Sequence, residues 1–152
     1  MQQFNEKVSF LNNKQVKFLT TVCRKLDNSE AGLIFLNELA GRGKTYVCNL
    51  LLNYVRGQGQ VALACASSAI AAMNYPGGRT AYNIFKIPVK EDYLDLTEIQ
   101  CDVLPTGERA ELLRECRLVI WDEFSMMHRT NFKPVLKMLR NIRRDRIQQR
   151  DV

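Results

Sequence analysis

A chain of 152 residues in which 46% are hydrophobic is long enough to bury one core and too apolar for a disordered segment. Its formal net charge of +6 comes wholly from residues 129–152, where eight basic side chains face two acidic ones, whereas residues 1–128 carry 14 of each sign. The opening MQQFNEKVSF has no apolar run behind basic residues and nowhere do about 18 uncharged apolar residues follow one another, which excludes a secretory leader and a membrane span as readings of these residues.

Five cysteines, Cys23, Cys48, Cys65, Cys101 and Cys116, come no closer than 15 residues and lack metal-ligand or redox spacing, so buried, reduced thiols in an intracellular protein are expected. Behind the candidate caps Asn12 and Asn13, the apolar positions Val16, Leu19, Val22, Cys23 and Leu26 predict an amphipathic helix over 12–26. LIFLN (33–37) has the length and composition of a buried strand and leads into the glycine-rich stretch 40–43. Residues 44–55, apolar on nearly every side, predict a helix packed between a sheet and other elements, stopped at Gly57 and Gly59. QVALACA (60–66) predicts a second strand, SSAIAAM (67–73) a short helix, and Pro76, Gly77 and Gly78 a loop. Between 81 and 107 the pattern is weak, with an acidic patch at Glu91, Asp92 and Asp95. Residues 108–116 read as helical and RLVIW (117–121) as a third strand ended by two acids. Phe132, Val135, Leu136, Leu139 and Ile142 place an apolar stripe on a final helix whose other face carries the basic surplus. That face is either a phosphate-attracting surface or a solvated one. Strands alternating with helices, glycines at strand ends and no internal repeat indicate one α/β domain with a parallel sheet flanked by helices.

A strand, a glycine-rich turn and then Gly43, Lys44 and Thr45 opening a helix is the context in which a phosphate loop has physical meaning. Unpaired N–H groups and the helix dipole favour an anion there, Gly41 and Gly43 let the backbone curl round it, Lys44 reaches phosphate oxygens as a point charge, and the Thr45 hydroxyl suits Mg²⁺. The strict pattern would begin with glycine at 38, where Glu38 stands; its carboxylate near a polyphosphate would cost about 1–4 kcal/mol at ~4 Å, partly offset by Arg42. An ordinary strand-to-helix turn is the alternative. In LVIWDEFS, a buried strand delivers Asp122 to hold Mg²⁺ and Glu123 to orient and deprotonate a water, or the pair merely caps a helix. Loop and acids together favour a Mg-nucleotide hydrolase.

LNNKQ (11–15), GKT (43–45), LACASSAIAAMNYPGGRTAYNIFKIP (63–88) and RLVIWDEFSMMHR (117–129) together resemble the Pif-one-type DNA helicases of superfamily one, in the family's order and over nearly the whole chain. The resemblance implies a RecA-like P-loop NTPase motor domain using ATP and Mg²⁺ and acting on single-stranded and duplex DNA, five-prime to three-prime. It implies that Gln15 contacts adenine, that Gly41, Arg42, Gly43, Lys44 and Thr45 hold the nucleotide, that Thr45 and Asp122 hold the metal, and that Lys44 and Glu123 are catalytic. Ser67, Ser68, Gly78, Arg79 and Thr80 would grip a DNA backbone through hydroxyls, amides and a guanidinium.

The expected organisation is a partial motor domain: an N-terminal helix carrying Gln15 (1–30), a nucleotide-binding core (31–128) and a basic C-terminal helix (129–152). Where the family has Gly-Pro-Gly-Gly-Thr, this chain has Glu38, Leu39, Ala40, Gly41 and Arg42, and Tyr82 stands for a histidine, still able to stack on a base. The family's Gly-Asp-x-x-Gln strand, which lies between the loop strand and the acidic strand, and its second, arginine-bearing domain are not within these 152 residues. A truncated sheet with unpaired edges and exposed apolar surface is therefore expected. Two other readings stay open: a catalytically dead nucleotide- or DNA-binding remnant of a transposon-derived helicase, and a small nucleotide kinase. The only histidine, His128, is expected to have a structural or surface role. Nuclear placement and roles in repair, recombination or telomere upkeep are implied by likeness alone.

Overall fold

The computed structural model describes residues 2–89 and 99–150, so the acidic patch at Glu91, Asp92 and Asp95 lies outside the described residues. Seven helices and three strands follow one another in the described chain: α1 (Gln2–Val8), α2 (Asn13–Asp27), α3 (Lys44–Gly57), β1 (Val61–Ala66), α4 (Ala69–Ala72), β2 (Arg79–Thr80), α5 (Ala81–Phe85), α6 (Glu108–Glu115), β3 (Cys116–Asp122) and α7 (Arg129–Arg150). A single 3-10 turn, Phe124–Met126, joins β3 to α7.

All strand pairs are parallel, in the order β2-β1-β3, with Ala62 to Ala66 beside Leu118 to Asp122. Parallel pairing follows from the intervening helices, because neighbouring parallel strands need a long crossover. The fold class is thus the expected α/β domain: a small parallel sheet flanked by helices, consistent with a RecA-like P-loop domain.

Alternation along the strands sorts the core into two layers. Ala62, Ala64 and Ile120 face α2 and α3, meeting Leu19, Val22, Val47 and Leu50. Cys65, with the partly buried Leu63, Val119 and Trp121, faces α5, α6 and α7, meeting Phe85, Leu113 and Val135. The small side chains of β1 let α3 approach closely, and Leu52 and Val55 are almost fully buried as a result. Each such side chain contributes about 1.5–3 kcal/mol by leaving water. Trp121 anchors an aromatic group, stacked on Phe85 at 5.2 Å and edge-on to Phe124 and Phe132 at 5.4 and 5.7 Å.

One predicted element is absent. Residues 33–37 form no strand, and Leu33, Ile34 and Phe35 are 66, 44 and 68% exposed. A strand exists only through a neighbour that takes up its N–H and C=O groups. Here the sheet stops at β3, whose second edge has no partner among the described residues. Phe35 leans edge-on against Phe124 at 5.9 Å, which holds the segment beside the sheet without admitting it. The expected exposed apolar surface is found at this place. Conversely, α1 and the two-residue strand β2 carry too little periodicity to be read from sequence.

Candidate functional site

The acids end β3 at the carboxyl edge of the sheet, and Thr45 at the start of α3 lies beside Tyr75, which reaches that edge. α2 begins at the N-cap Asn12, whose carboxamide accepts from the Gln15 N–H at 3.0 Å while the Gln15 side-chain oxygen accepts from the Asn12 N–H at 2.9 Å. This reciprocal capping fixes the Gln15 side chain, and its Nε2 donates to the carbonyl of Arg42 at 3.0 Å. Gln15 therefore clasps the glycine-rich loop from behind. Arg42 itself is exposed and makes no side-chain hydrogen bond or ion pair among the described residues.

The loop ends at Gly43, in the left-handed region at φ 78°, which caps α3 without a side chain. The N–H groups of the first turn of α3 are consequently left for an external acceptor. Lys44 folds back over the loop, its Nζ donating to the carbonyls of Glu38 at 2.6 Å and Leu39 at 3.0 Å. The Glu38 carboxylate takes no part in that clasp.

At the opposite side of the site, β3 carries Asp122 to its last position, level with Ala66 of β1. Asp122 Oδ1 accepts from the Glu123 N–H at 2.8 Å, and Oδ2 accepts from the Tyr75 hydroxyl at 2.7 Å. The Thr45 side chain lies beside that hydroxyl. Tyr75 thus stands between Thr45 and Asp122. Burial, followed by donation to Asp122, pushes the Tyr75 phenol above its ordinary range. Burial and then the charge of Asp122 push the neighbouring Cys48 thiol up to about 11.

Glu123 lies in the left-handed region at φ 51°, a conformation that costs an ordinary residue about 1–2 kcal/mol. Two serines hold it there: the Ser67 hydroxyl donates to its carbonyl at 2.8 Å and the Ser68 hydroxyl to its Oε2 at 2.7 Å. Ser68 also caps α4 by accepting from the Ala71 N–H at 3.2 Å. Both predicted DNA-contacting hydroxyls therefore point inward, onto Glu123. Gly78 closes a turn by donating to the Tyr75 carbonyl, Arg79 is exposed and without a partner among the described residues, and Thr80 caps α5 through the Asn83 N–H.

Tyr82 is tied to α7, accepting at its phenol oxygen from Asn131 Nδ2 at 3.0 Å, and is half-buried there. His128 is exposed, its Nδ1 bonded with the Thr130 hydroxyl at 2.7 Å at the start of α7. Tyr75 is the residue that sequence reasoning missed. It falls between a short helix and a Pro-Gly-Gly turn, where no periodicity gives a direction to its side chain.

Among the described residues no group of three or more His, Cys, Asp or Glu side chains forms a metal cage. The set at hand, one carboxylate and one hydroxyl beside a helix N-terminus, instead suits Mg²⁺ arriving with phosphate oxygens, because Mg²⁺ is usually held by one or two carboxylates together with substrate phosphates. The residues present fit that group.

Comparison with known sequences agrees with this geometry. A sequence profile described as PIF1-like helicase matches residues 10–150. The chain is 32% identical over 111 residues to the ATP-dependent DNA helicase Pif1 of Campylobacter jejuni, covering 71% of this chain and 25% of that protein. It is 31% identical over 115 residues to the ATP-dependent DNA helicase Pif1 of a Psychrobacter species, covering 74% and 16%. The chain thus spans a quarter or less of the curated relatives it matches.

Proposed function

The chain belongs to the PIF1-like helicase family, and from that premise we propose that this span is the nucleotide-binding part of an ATP-driven DNA helicase, moving five-prime to three-prime. Residues 38–45, Asp122 and Glu123 form one site for Mg·ATP. The observation that carries the reading is the Tyr75 hydroxyl, bonded to Asp122 with the Thr45 side chain beside it. Side chains 77 residues apart are thereby brought to one place.

In this reading Lys44 leaves the carbonyls of Glu38 and Leu39 for the β- and γ-phosphates, and the free N–H groups at the start of α3 donate to the same anion. Thr45 and Asp122 hold the cation, which when bound neutralises the phosphate charge. Glu123 takes the proton of an attacking water through the carboxylate oxygen that Ser68 does not engage. Gln15 keeps the loop in register from behind and lies close to where a base would be read. Single-stranded DNA runs along the carboxyl edge over Ser67, Ser68, Gly78, Arg79 and Thr80, held by phosphate and sugar contacts that read no sequence.

The test is equilibrium binding of a fluorescent ATP analogue with and without Mg²⁺. Lys44→Ala is expected to weaken binding at least about tenfold, equivalent to ~1.4 kcal/mol, and Asp122→Asn to remove its Mg²⁺ dependence. Equal affinity in all three proteins would end the reading. Turnover is a separate matter, since arginines supplied to the transferred phosphate are worth roughly 10³–10⁵ in rate and belong to the part of the family's motor not included in these residues. Negligible hydrolysis by the 152-residue chain is expected. DNA-stimulated hydrolysis that vanishes in Lys44→Ala would contradict it. A second reading, a remnant that binds without turnover, is favoured by Glu38 in place of glycine and by the unpaired segment 33–37; full-length protein inactive with DNA present would select it.

A further inference from the structure

The connection between β1 and β2, residues 67–78, takes hold of both acids of the site with one hydroxyl each: Ser68 on Glu123 at its beginning and Tyr75 on Asp122 near its end. We propose that Tyr75 is a positioning residue that couples occupancy of the 76–80 turn by DNA to the geometry of Asp122 and Thr45, so that each ligand alters affinity for the other. This rests on the nucleotide and DNA reading given above and names the residue through which the two sites communicate.

Three observations make Tyr75 a stiff link. Its ring is 4% exposed and packs in the same layer as Val47, Leu50 and Ile120, so the ring cannot swing independently of α3 and β3. Its flanking backbone is pinned on both sides: the Asn74 carbonyl accepts from Asn49 Nδ2 at 3.1 Å and the Pro76 carbonyl from the Arg56 guanidinium at 2.8 Å. The Tyr75 carbonyl then accepts the Gly78 N–H at 2.9 Å, and a Cβ at Gly78 would lie 2.1 Å from the Ala72 carbonyl oxygen. The turn that carries Arg79 is packed without slack against the residue whose hydroxyl touches the acid. A displacement of the turn is therefore passed to that hydroxyl rather than absorbed, as coupling requires a contiguous element biased by both sites.

Linkage makes the test independent of catalysis. Affinity of the chain for a Mg-bound fluorescent ATP analogue is measured without and with saturating oligothymidylate, and affinity for the oligonucleotide without and with nucleotide. The expected wild-type result is the same factor in both directions, in the usual range of about 5- to 150-fold. Tyr75→Phe keeps the ring and removes one oxygen; it should retain oligonucleotide binding while the coupling factor falls towards one. A melting temperature within a few degrees of wild type identifies the loss as one of communication rather than of fold. Coupling unchanged in Tyr75→Phe, or a wild-type factor of one despite tight binding of each ligand alone, overturns the inference and leaves the function standing. Failure of the wild type to bind either ligand overturns both.

Discussion

The clasp of Gln15 behind the glycine-rich loop can be weighed by comparing two alanines. Gly41 and Gly43 both have positive φ, 72° and 78°, so alanine at either costs about 1–2 kcal/mol of backbone strain. At Gly41 a Cβ meets nothing within 4 Å, whereas at Gly43 it falls 3.0 Å from Gln15 Nε2. The amide must move, which loosens its bond to the Arg42 carbonyl and strains the capping bond that its oxygen accepts from Asn12. These bonds are solvent-accessible, so their loss belongs at the low end of the usual range, about 0.5–1 kcal/mol. Gly43→Ala should therefore destabilise by about that much more than Gly41→Ala, read from urea unfolding followed by circular dichroism. In a Gln15→Ala background the difference should disappear, because the group it displaces is gone. Equal costs in the wild-type background, or a difference that survives Gln15→Ala, would refute the clasp.

Leu52→Ala empties a fully buried position on α3 and is expected to cost about 2–5 kcal/mol, measured the same way. Ser68→Ala removes the cap of α4 and frees Glu123, with a stability loss of about 1 kcal/mol in thermal or urea unfolding. Burial raises Cys23, Cys48 and Cys101 from 9.0 to about 11, so the folded state holds these protons more tightly than the unfolded chain. Stability from this source is complete below pH 9 and falls as pH rises from about 9 to 11; a urea midpoint constant across that window would contradict it. Oligonucleotide affinity should drop steeply with salt in a log–log plot, and a flat plot would show that phosphate contacts are not its source.

Five of the seven described helices and two of the three strands were legible because their signals are local, whereas α1 and α5 were not read. The apolar spacing of Leu19, Val22 and Leu26 and the cap at Asn12 settle α2 without reference to anything distant, and the alternation of Ala62, Leu63, Ala64 and Cys65 needs only two covered faces. LIFLN misled for the opposite reason. Its composition suits a strand, but pairing is a property of two segments, and no described segment lies along β3 to receive it. The site divides in the same way. Lys44, Thr45, Asp122 and Glu123 follow from residue type at strand and helix ends, while the inward aim of Ser67 and Ser68 and the bridging role of Tyr75 arise only from tertiary packing. Sequence could name the acids; it could not show that hydroxyls from one connection hold them.

Trp121 is the chain's only tryptophan. It immediately precedes Asp122, lies stacked on Phe85 and carries an indole N–H with no hydrogen-bond partner among the described residues. The protein therefore contains a single indole fluorophore, selectively excitable beside its five tyrosines, one peptide bond from the acid that would meet the cation. Its emission needs no deconvolution, and its wavelength registers any change of polarity at the end of that strand. Excited at the indole band, it can also serve as donor to a labelled nucleotide, turning proximity inside the molecule into an optical signal.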